Sequence, residues 1–411
     1  MKKSRKTNIY AIFSHIYEHY ENTLFTFAGP FLLGLFFGHN AQSSRMAVYL
    51  SMAASFWTRP LGALIFSSIG DIRGRKKALT YVIVLCGMPS LVISFLPTYA
   101  VIGIWAPLCL IAVRVIQGIG AGGGFYATLT LISETDTNTK WKKNLLLGIS
   151  FAMGFFGSVL GILCASYFLD PKLPEGSWRV PFMIGGFYGL FLFLARKVIK
   201  ESRLWKESPK SHSMVPFTEV FRYNPKNVFA VFLVGMGMLA PFYVATTWMP
   251  RHITDLFQHH PANVLLSTSL IFTVCGIFII FFTVINTWIS KKVFGILTAT
   301  IGCGISFLLF WSLKLGNYTL LQQSQIWLAL YTSFISGTCI ILIQKLFPVQ
   351  YKFSGFAIPF SLGQAIFLGS TPLMCEFLFK ITSEAASVAY IVITSVIFVV
   401  AAIFLSKPLE E

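Results

Sequence analysis

The sequence predicts an all-α membrane protein with twelve transmembrane helices in two six-helix bundles. Three observations predict it. First, the 411 residues are 55% hydrophobic and only 11% charged, with a mean hydropathy of +0.71. Soluble domains carry about 25% charge, so a chain this poor in charge must turn most of its surface to lipid or to other helices. Second, long stretches contain no Asp, Glu, Lys or Arg: 78–113, 144–169, 227–250, 256–290, 315–344 and 385–406. Third, the basic residues sit in short clusters between those stretches. When twelve spans are drawn, they favour the side of the N-terminus by about four to one.

About 20 apolar residues cross the hydrocarbon core as a helix. The spans expected on that basis are roughly 10–38, 46–69, 78–97, 101–133, 144–169, 180–199, 227–250, 263–289, 292–313, 323–347, 353–380 and 385–406. The longest runs need a turn inside them. Pro97-Thr98-Tyr99 supplies one, because proline is disfavoured within a continuing helix. The first eight residues are basic, and the hydrophobic pattern continues along the whole chain without a small-residue cleavage site, so the N-terminus is expected to enter the first span from the cytoplasm. Lys2, Lys3, Arg5 and Lys6 begin the cytoplasmic set. Arg73 to Lys77, Lys140 to Lys143, the basic residues of 196–226, and Lys291, Lys292, Lys345, Lys352 and Lys407 continue it. An odd number of spans would reverse the second half and destroy this asymmetry. Both termini are therefore expected in the cytoplasm. The one long polar stretch divides the chain into an N-terminal six-helix bundle (1–199), a central cytoplasmic loop (200–226) and a C-terminal six-helix bundle (227–411).

The net charge of +17 lies in loops rather than in a folded basic domain, which argues against a nucleic-acid partner. The seven cysteines stand alone in apolar runs without metal-ligand spacing. There is no P-loop, G-x-S-x-G, H-E-x-x-H or Rossmann glycine pattern. Neither an enzyme nor a cofactor is expected.

Charge at bilayer depth is expensive and marks function by default. The first span contains His15, Glu18, His19 and Glu21, spaced three and four residues apart, so they meet on a helix. Carboxylates in an apolar setting hold a proton near neutral pH, as a proton-coupled carrier requires. Glu18 and Glu21 are therefore proton-coupling candidates, with the two histidines beside them. Solvation of the same cluster at the membrane surface is the alternative. Arg114 is the only formal charge between Lys77 and Glu134. It needs an acid on another helix, such as Glu18 or Glu21, or an anionic substrate. After it come Gln117, Gly118, Gly120 and Gly122 to Gly124. The 118/122 and 120/124 pairs suit close helix contact.

Residues 67–77 resemble the loop motif G-x-x-x-D-x-x-G-R-[RK] of the major facilitator superfamily. Asp71, Gly74, Arg75 and Lys76 match, while Ser67 and Ile72 depart from it. The resemblance implies a gate that locks the inward-closed state. Asp71 would sit against a helix N-terminus of the other half, with residues 352–355 the expected partner. Arg114-x-x-Gln117-Gly118 resembles the family's fourth-helix motif, whose Arg is linked to proton transfer. Thr58-Arg59-Pro60-Leu61-Gly62, Ile102 to Pro107, and Trp178-Arg179-Val180-Pro181-Phe182 are similar to the metabolite:proton symporters, and within them to the proline/betaine transporters. The chain departs from that group at Gly124, where an acid is usual, so proton coupling would rest on Glu18 and Glu21. The second-half loop motif, 286–292, lacks its Asp. The chain ends without the charged coiled-coil extension of osmosensing members, and the fifth span lacks the Gly-Pro pair of antiporters.

These readings imply a multi-pass transporter of the bacterial inner (plasma) membrane. It would take up a small organic solute such as proline or glycine betaine together with protons, by alternating access. Arg59 and Arg114 are candidates to bind the carboxylate. Trp248 and Gln364, with Tyr243, Thr246 and Thr247, are candidates on the second half. A proton-coupled dicarboxylate symporter is the alternative, and a non-transporting membrane sensor is a lesser one.

Overall fold

The structure is a computed structural model. It describes residues 2–37, 41–135, 139–170, 172–208, 216–250, 261–285, 288–368, 370, 374, 377 and 384–407. Twelve membrane helices follow in chain order. In the first half they are α1 Lys2–Phe37, α2 Ala41–Arg73, α3 Arg75–Phe95, α4 Trp105–Ser133, α5 Lys140–Phe168 and α6 Arg179–Ala195. In the second half they are α7 Pro225–Trp248, α8 Pro261–Ile285, α9 Lys291–Leu315, α10 Tyr318–Ile343, α11 Lys352–Gly363 with a π turn Gln364–Leu368, and α12 Glu384–Leu405. Among the described residues, eight helices (α3 to α10) are long and apolar enough to cross a membrane by length and composition. Most of the expected span end at 369–383, and Asn286 and Thr287 of the second-half loop motif, lie outside the described residues.

Local chemistry sets the helix ends. Asn224 accepts from the amide of Asn227, and Pro225 occupies the first turn of α7. Ser290 and Asn317 cap α9 and α10 in the same way. Gly316 ends α9 with φ +60°. The expected fourth span from 101 is interrupted: a single turn, Tyr99–Ile102, ends at Gly103 with φ +56°, and α4 begins at Trp105. The seventh helix, expected to be continuous, changes to a π turn at Val244–Trp248. Gln325 of α10 donates to the carbonyl of Ala245 at 3.0 Å, satisfying one backbone group there.

Within the first half, α1 packs on α5 and α4, α2 on α4, and α3 on α4 and α6. Within the second, α9 packs on α12, α8 on α10, and α7 on α11 and α12. The halves meet chiefly through α2 against α11 and α5 against α8. Both pairs are offset in the same sense, as expected for two six-helix repeats. The outward faces are apolar: Phe95, Phe191, Leu194 and Phe307 are all exposed, as the bilayer as solvent requires.

Glycines set the closest approaches. A Cβ on Gly122 would lie 2.1 Å from the carbonyl oxygen of Arg59, and one on Gly62 would lie 1.9 Å from that of Ile119, so the backbones of α2 and α4 touch. Gly157 meets Ile16 across α1 and α5, and Gly235 meets Phe360 across α7 and α11. Replacing Gly122 by Leu should overpack the α2–α4 contact and cost about 1–3 kcal/mol. Gly304→Ala, where nothing lies within 4 Å, should change little. Thermal unfolding in detergent checks this, and equal midpoints for the two variants would contradict it.

Candidate functional site

Between the halves lies a narrow cavity of about 80 Å³, lined by residues of both bundles. The α1 wall contributes Glu18, His19, Asn22, Thr23 and Thr26. Arg59 projects from α2; its Nη2 donates to Asn22 Oδ1 at 2.8 Å and its guanidinium lies 4.0 Å from the Phe56 ring centroid. The Nε of Arg59 has no hydrogen-bond partner. Aromatic rings form much of the remainder. Phe155 of α5, Phe242 of α7 and Phe272 of α8 interlock, with Phe155–Phe242 and Phe242–Phe272 edge to face at 5.1 and 4.7 Å. Tyr243, Thr246 and Thr247 enter from the irregular end of α7. Tyr126 Oη donates to Gln364 Oε1 at 3.1 Å, joining α4 to α11 across the cavity.

Glu18 and Glu21 occupy different environments. Glu18 is half-buried and faces the cavity. Its seat exists because position 124 has no side chain: a Cβ there would lie 2.2 Å from Glu18 Oε2. Glu21 points into the first bundle. It accepts a short hydrogen bond from Ser90 and one at 3.4 Å from Gln117, and it presses on Gly185 of α6. Arg114 lies in this inner network. Its Nη1 donates to Gln117 Oε1 at 2.7 Å, and its guanidinium lies 3.8 Å from the Phe25 centroid. Gln117 therefore stands between Arg114 and Glu21, where the sequence suggested a direct pair. A smaller pocket joins Glu18, Glu21, Ser55, Arg114 and Gln117.

These positions correct two expectations about substrate contact. Arg114 stands behind the cavity wall, because α4 turns it into the first bundle. Trp248 is not among the cavity-lining residues; its neighbours Tyr243, Thr246 and Thr247 are. Arg59 and Gln364 line the cavity.

At one end of the molecule, Arg75 is wholly buried and uses all five of its side-chain N–H groups. They reach Gly70 O and Asp71 Oδ1, both at 2.6 Å, Glu134 Oε1 at 3.2 and 2.9 Å, and Val349 O at 2.6 Å. Asp71 accepts from the amides of Phe353 (3.3 Å) and Ser354 (2.8 Å), at the N-terminus of α11. Charges from α2, α3 and α4 thus grip the second half. Gly74 supplies φ +107° between α2 and α3, and a Cβ there would meet Glu201 Oε2 at 2.1 Å. Glu201 accepts from the amides of Arg75 (2.9 Å) and Lys76 (3.4 Å), capping α3, and Trp205 Nε1 donates to Asp71 O at 2.8 Å. Lys76 joins through its backbone. Nearby, Tyr351 donates to Glu219; that bond first, and burial second, push the Tyr351 hydroxyl up to about 12.

Glu134, Glu201 and Trp205 were not singled out from the sequence. For Glu201 the one signal was an acid among the basic residues of 196–206.

Comparison with known proteins agrees with this fold. The sequence profile of the Major Facilitator Superfamily matches residues 20–358, and the chain belongs to that superfamily. It is a multi-pass membrane transporter and not an enzyme. It is 26% identical to a Staphylococcus aureus (strain COL) protein named for proline/betaine transport, over 95% of this chain and 85% of that one. It is also 26% identical to the alpha-ketoglutarate permease of Escherichia coli K12, over 96% and 91%. Its fold is similar to that of the proton:xylose symporter XylE bound to 6-bromo-6-deoxy-D-glucose, with a TM-score of 0.80 at 14% identity, covering 98% of this chain and 95% of XylE.

Removing one member of a buried charged network leaves the others uncompensated, at a cost of about 3–5 kcal/mol. Asp71→Ala should therefore part this end of the molecule. Spin labels at the exposed positions 77 and 345, in a cysteine-free background, should show a new, longer distance population. Lys76→Ala should not produce one. An unchanged distribution in Asp71→Ala would rule out the clamp.

Proposed function

We propose that this chain carries a small zwitterionic solute, such as glycine betaine or proline, into the cell together with a proton by alternating access. The observation that supports this reading most is the pairing of groups on the cavity wall. One guanidinium, Arg59, faces a cavity otherwise built of aromatic rings, hydroxyls and amides, with the Glu18 carboxyl alongside. A guanidinium is suited to a substrate carboxylate, which it can bind through paired N–H groups. The faces of Phe and Tyr rings attract a quaternary or secondary ammonium group.

Glu18 is the coupling group in this reading. It shares the cavity with the solute, so its protonation and solute binding are felt by one another. Glu21, Gln117 and Arg114 support it from behind. Asp71, Gly74, Arg75 and Lys76 form the gate at the cytoplasmic ends, with both termini on that side and residues 200–226 linking the two bundles. With that gate closed, solute and proton enter from outside; after the halves rock, both leave inward.

The second reading is an organic-acid symporter, favoured by the equal identity to the alpha-ketoglutarate permease. A dicarboxylate asks for two cations. Among the described lining residues Arg59 is the one permanent cation, and His19 would have to supply the other charge.

Uptake into proteoliposomes separates the readings. Labelled glycine betaine should accumulate when the outside is made acidic, and excess 2-oxoglutarate should compete poorly. Glu18→Gln should lower gradient-driven accumulation by about tenfold or more. Arg59→Gln should raise the betaine KM by about tenfold or more, as expected for one lost charged hydrogen bond. Strong accumulation of 2-oxoglutarate with indifference to betaine would sink the zwitterion reading. Undiminished coupling in Glu18→Gln would remove Glu18 from its role.

A further inference from the structure

His15 is completely buried, yet no substrate-contacting role accounts for it. Its Nδ1 lies 2.8 Å from the carbonyl oxygen of Ser150 on α5. A carbonyl only accepts, so Nδ1 carries the hydrogen and Nε2 presents a lone pair. That lone pair has no hydrogen-bond partner. A buried acceptor left unmade costs about 1–3 kcal/mol and calls for an explanation. A histidine kept only for packing would have both nitrogens satisfied or be an apolar residue.

The neighbour of His15 supplies one. His19 sits one turn along α1, with ring centroids 4.7 Å apart and planes at 73°. His19 lines the central cavity next to Glu18. Its imidazole packs on Gly154 of α5, where a Cβ would come within 2.8 Å of Cδ2. The two rings thus form a step from the cavity into the closed part of the first bundle. The step leads along α1 towards its N-terminal end, the side of the Asp71–Arg75 clamp.

We infer that the coupling proton, bound first at Glu18, passes by way of His19 to His15, which carries it from the cavity towards the cytoplasmic end of the first bundle. This rests on the proton-coupled reading above and adds the proton's route to it. The proton arrives at Nε2 of His15, giving an imidazolium whose Nδ1–H stays on Ser150. The positive charge lies beside Phe151, stacked at 6° and 6.4 Å, and Phe125, at 5.5 Å. The proton leaves from Nε2 to water admitted when the clamp parts. No bond other than N–H is made or broken. The charged and titratable groups around the pair are Glu18 on α1 and Arg59 on α2. The other helices present Phe125 and Tyr126 from α4 and Phe151, Phe155 and the Ser150 carbonyl from α5, with Phe356 and Phe360 of α11 behind Phe125.

The test uses the full chain in proteoliposomes loaded with a fluorescent pH indicator, with glycine betaine as the probe. Two variants are compared with the wild type. His15→Asn keeps a donor for Ser150 without a titrating nitrogen, and His15→Gln places an amide nearer to Nε2. Each preparation is measured for betaine counterflow, which needs no net proton movement, and for betaine-driven proton entry. The relay predicts counterflow within about twofold of wild type and proton entry lowered by at least about tenfold in both variants. Wild-type proton entry with an unshifted pH profile in either variant would overturn it. A parallel fall of counterflow and proton entry would overturn it too, marking His15 as a packing residue. Absence of betaine-driven proton entry in the wild type would fell the proton-coupled reading itself, and the relay with it.

Discussion

Charge removed from water must find partners inside the protein, and this chain meets that constraint in two ways. Around Arg75 the guanidinium's partners are complete: five N–H groups and five bonds, two carboxylates among the acceptors, with only Glu134 Oε2 of those carboxylates left without a partner. A buried cation held by so many bonds has one good geometry. Around the cavity the partners are incomplete. Arg59 Nε lacks a bond and Glu18 faces open space, and behind the wall Arg114 Nε and Glu21 Oε1 also lack bonds. Unfinished hydrogen bonding is costly in a static core, but in a carrier it is where a ligand or a proton adds the missing partner. The first arrangement holds a state, and the second responds to cargo.

The glycines decide where these charges stand. Gly118 and Gly122 lay α4 directly on α2, at Ser55 and Arg59, and so fix Arg59 at the cavity edge. Gly120 packs on Leu85 and Cys86 of α3. Gly124 leaves the space that Glu18 fills from α1. A carboxylate that related symporters are expected to mount on α4 is here delivered to the same wall from another helix. What matters physically is the position of the oxygen atoms, not the helix that bears them.

Much of the fold was legible because a bilayer permits few solutions. Uncharged runs of span length and clustered Lys and Arg between them carry the helix count almost alone. The match of Asp71 to a helix N-terminus near 352–355 was also readable, through the resemblance of residues 67–77 to the superfamily's loop motif. Other features could not be read locally. Whether Arg114 faces the cavity or the bundle depends on the rotation of α4, which its glycines set through contacts with three helices. The division of labour between Glu18 and Glu21 depends on Ser90, Gln117 and Gly185, distant in sequence from α1. The π turn of α7 depends on Gln325, some eighty residues away. Pattern reports which residues are expensive to bury, while their partners come from tertiary packing.

The clamp is built by one half only. Asp71, Arg75 and Glu134 all belong to the first bundle, and the second contributes backbone: the carbonyl of Val349 and the amides of Phe353 and Ser354. The corresponding loop of the second half lacks the acid that would build a mirror-image grip. The two ends of the molecule are therefore not equivalent by symmetry, and the clamped end has its own source of stability. Reversing a two-state population from 1:99 to 99:1 takes about 5.5 kcal/mol of differential binding. In the proposed reading, a solute carboxylate on Arg59, aromatic contact with a cationic group, and a proton on Glu18 are the interactions that would supply it. All three act on the wall where the halves meet, near the middle of α2 and α4, while the clamp lies at their C-terminal ends. Those two helices, held backbone to backbone by Gly62 and Gly122, form the stiff element that allows events in the cavity to be felt at Asp71 and Glu134.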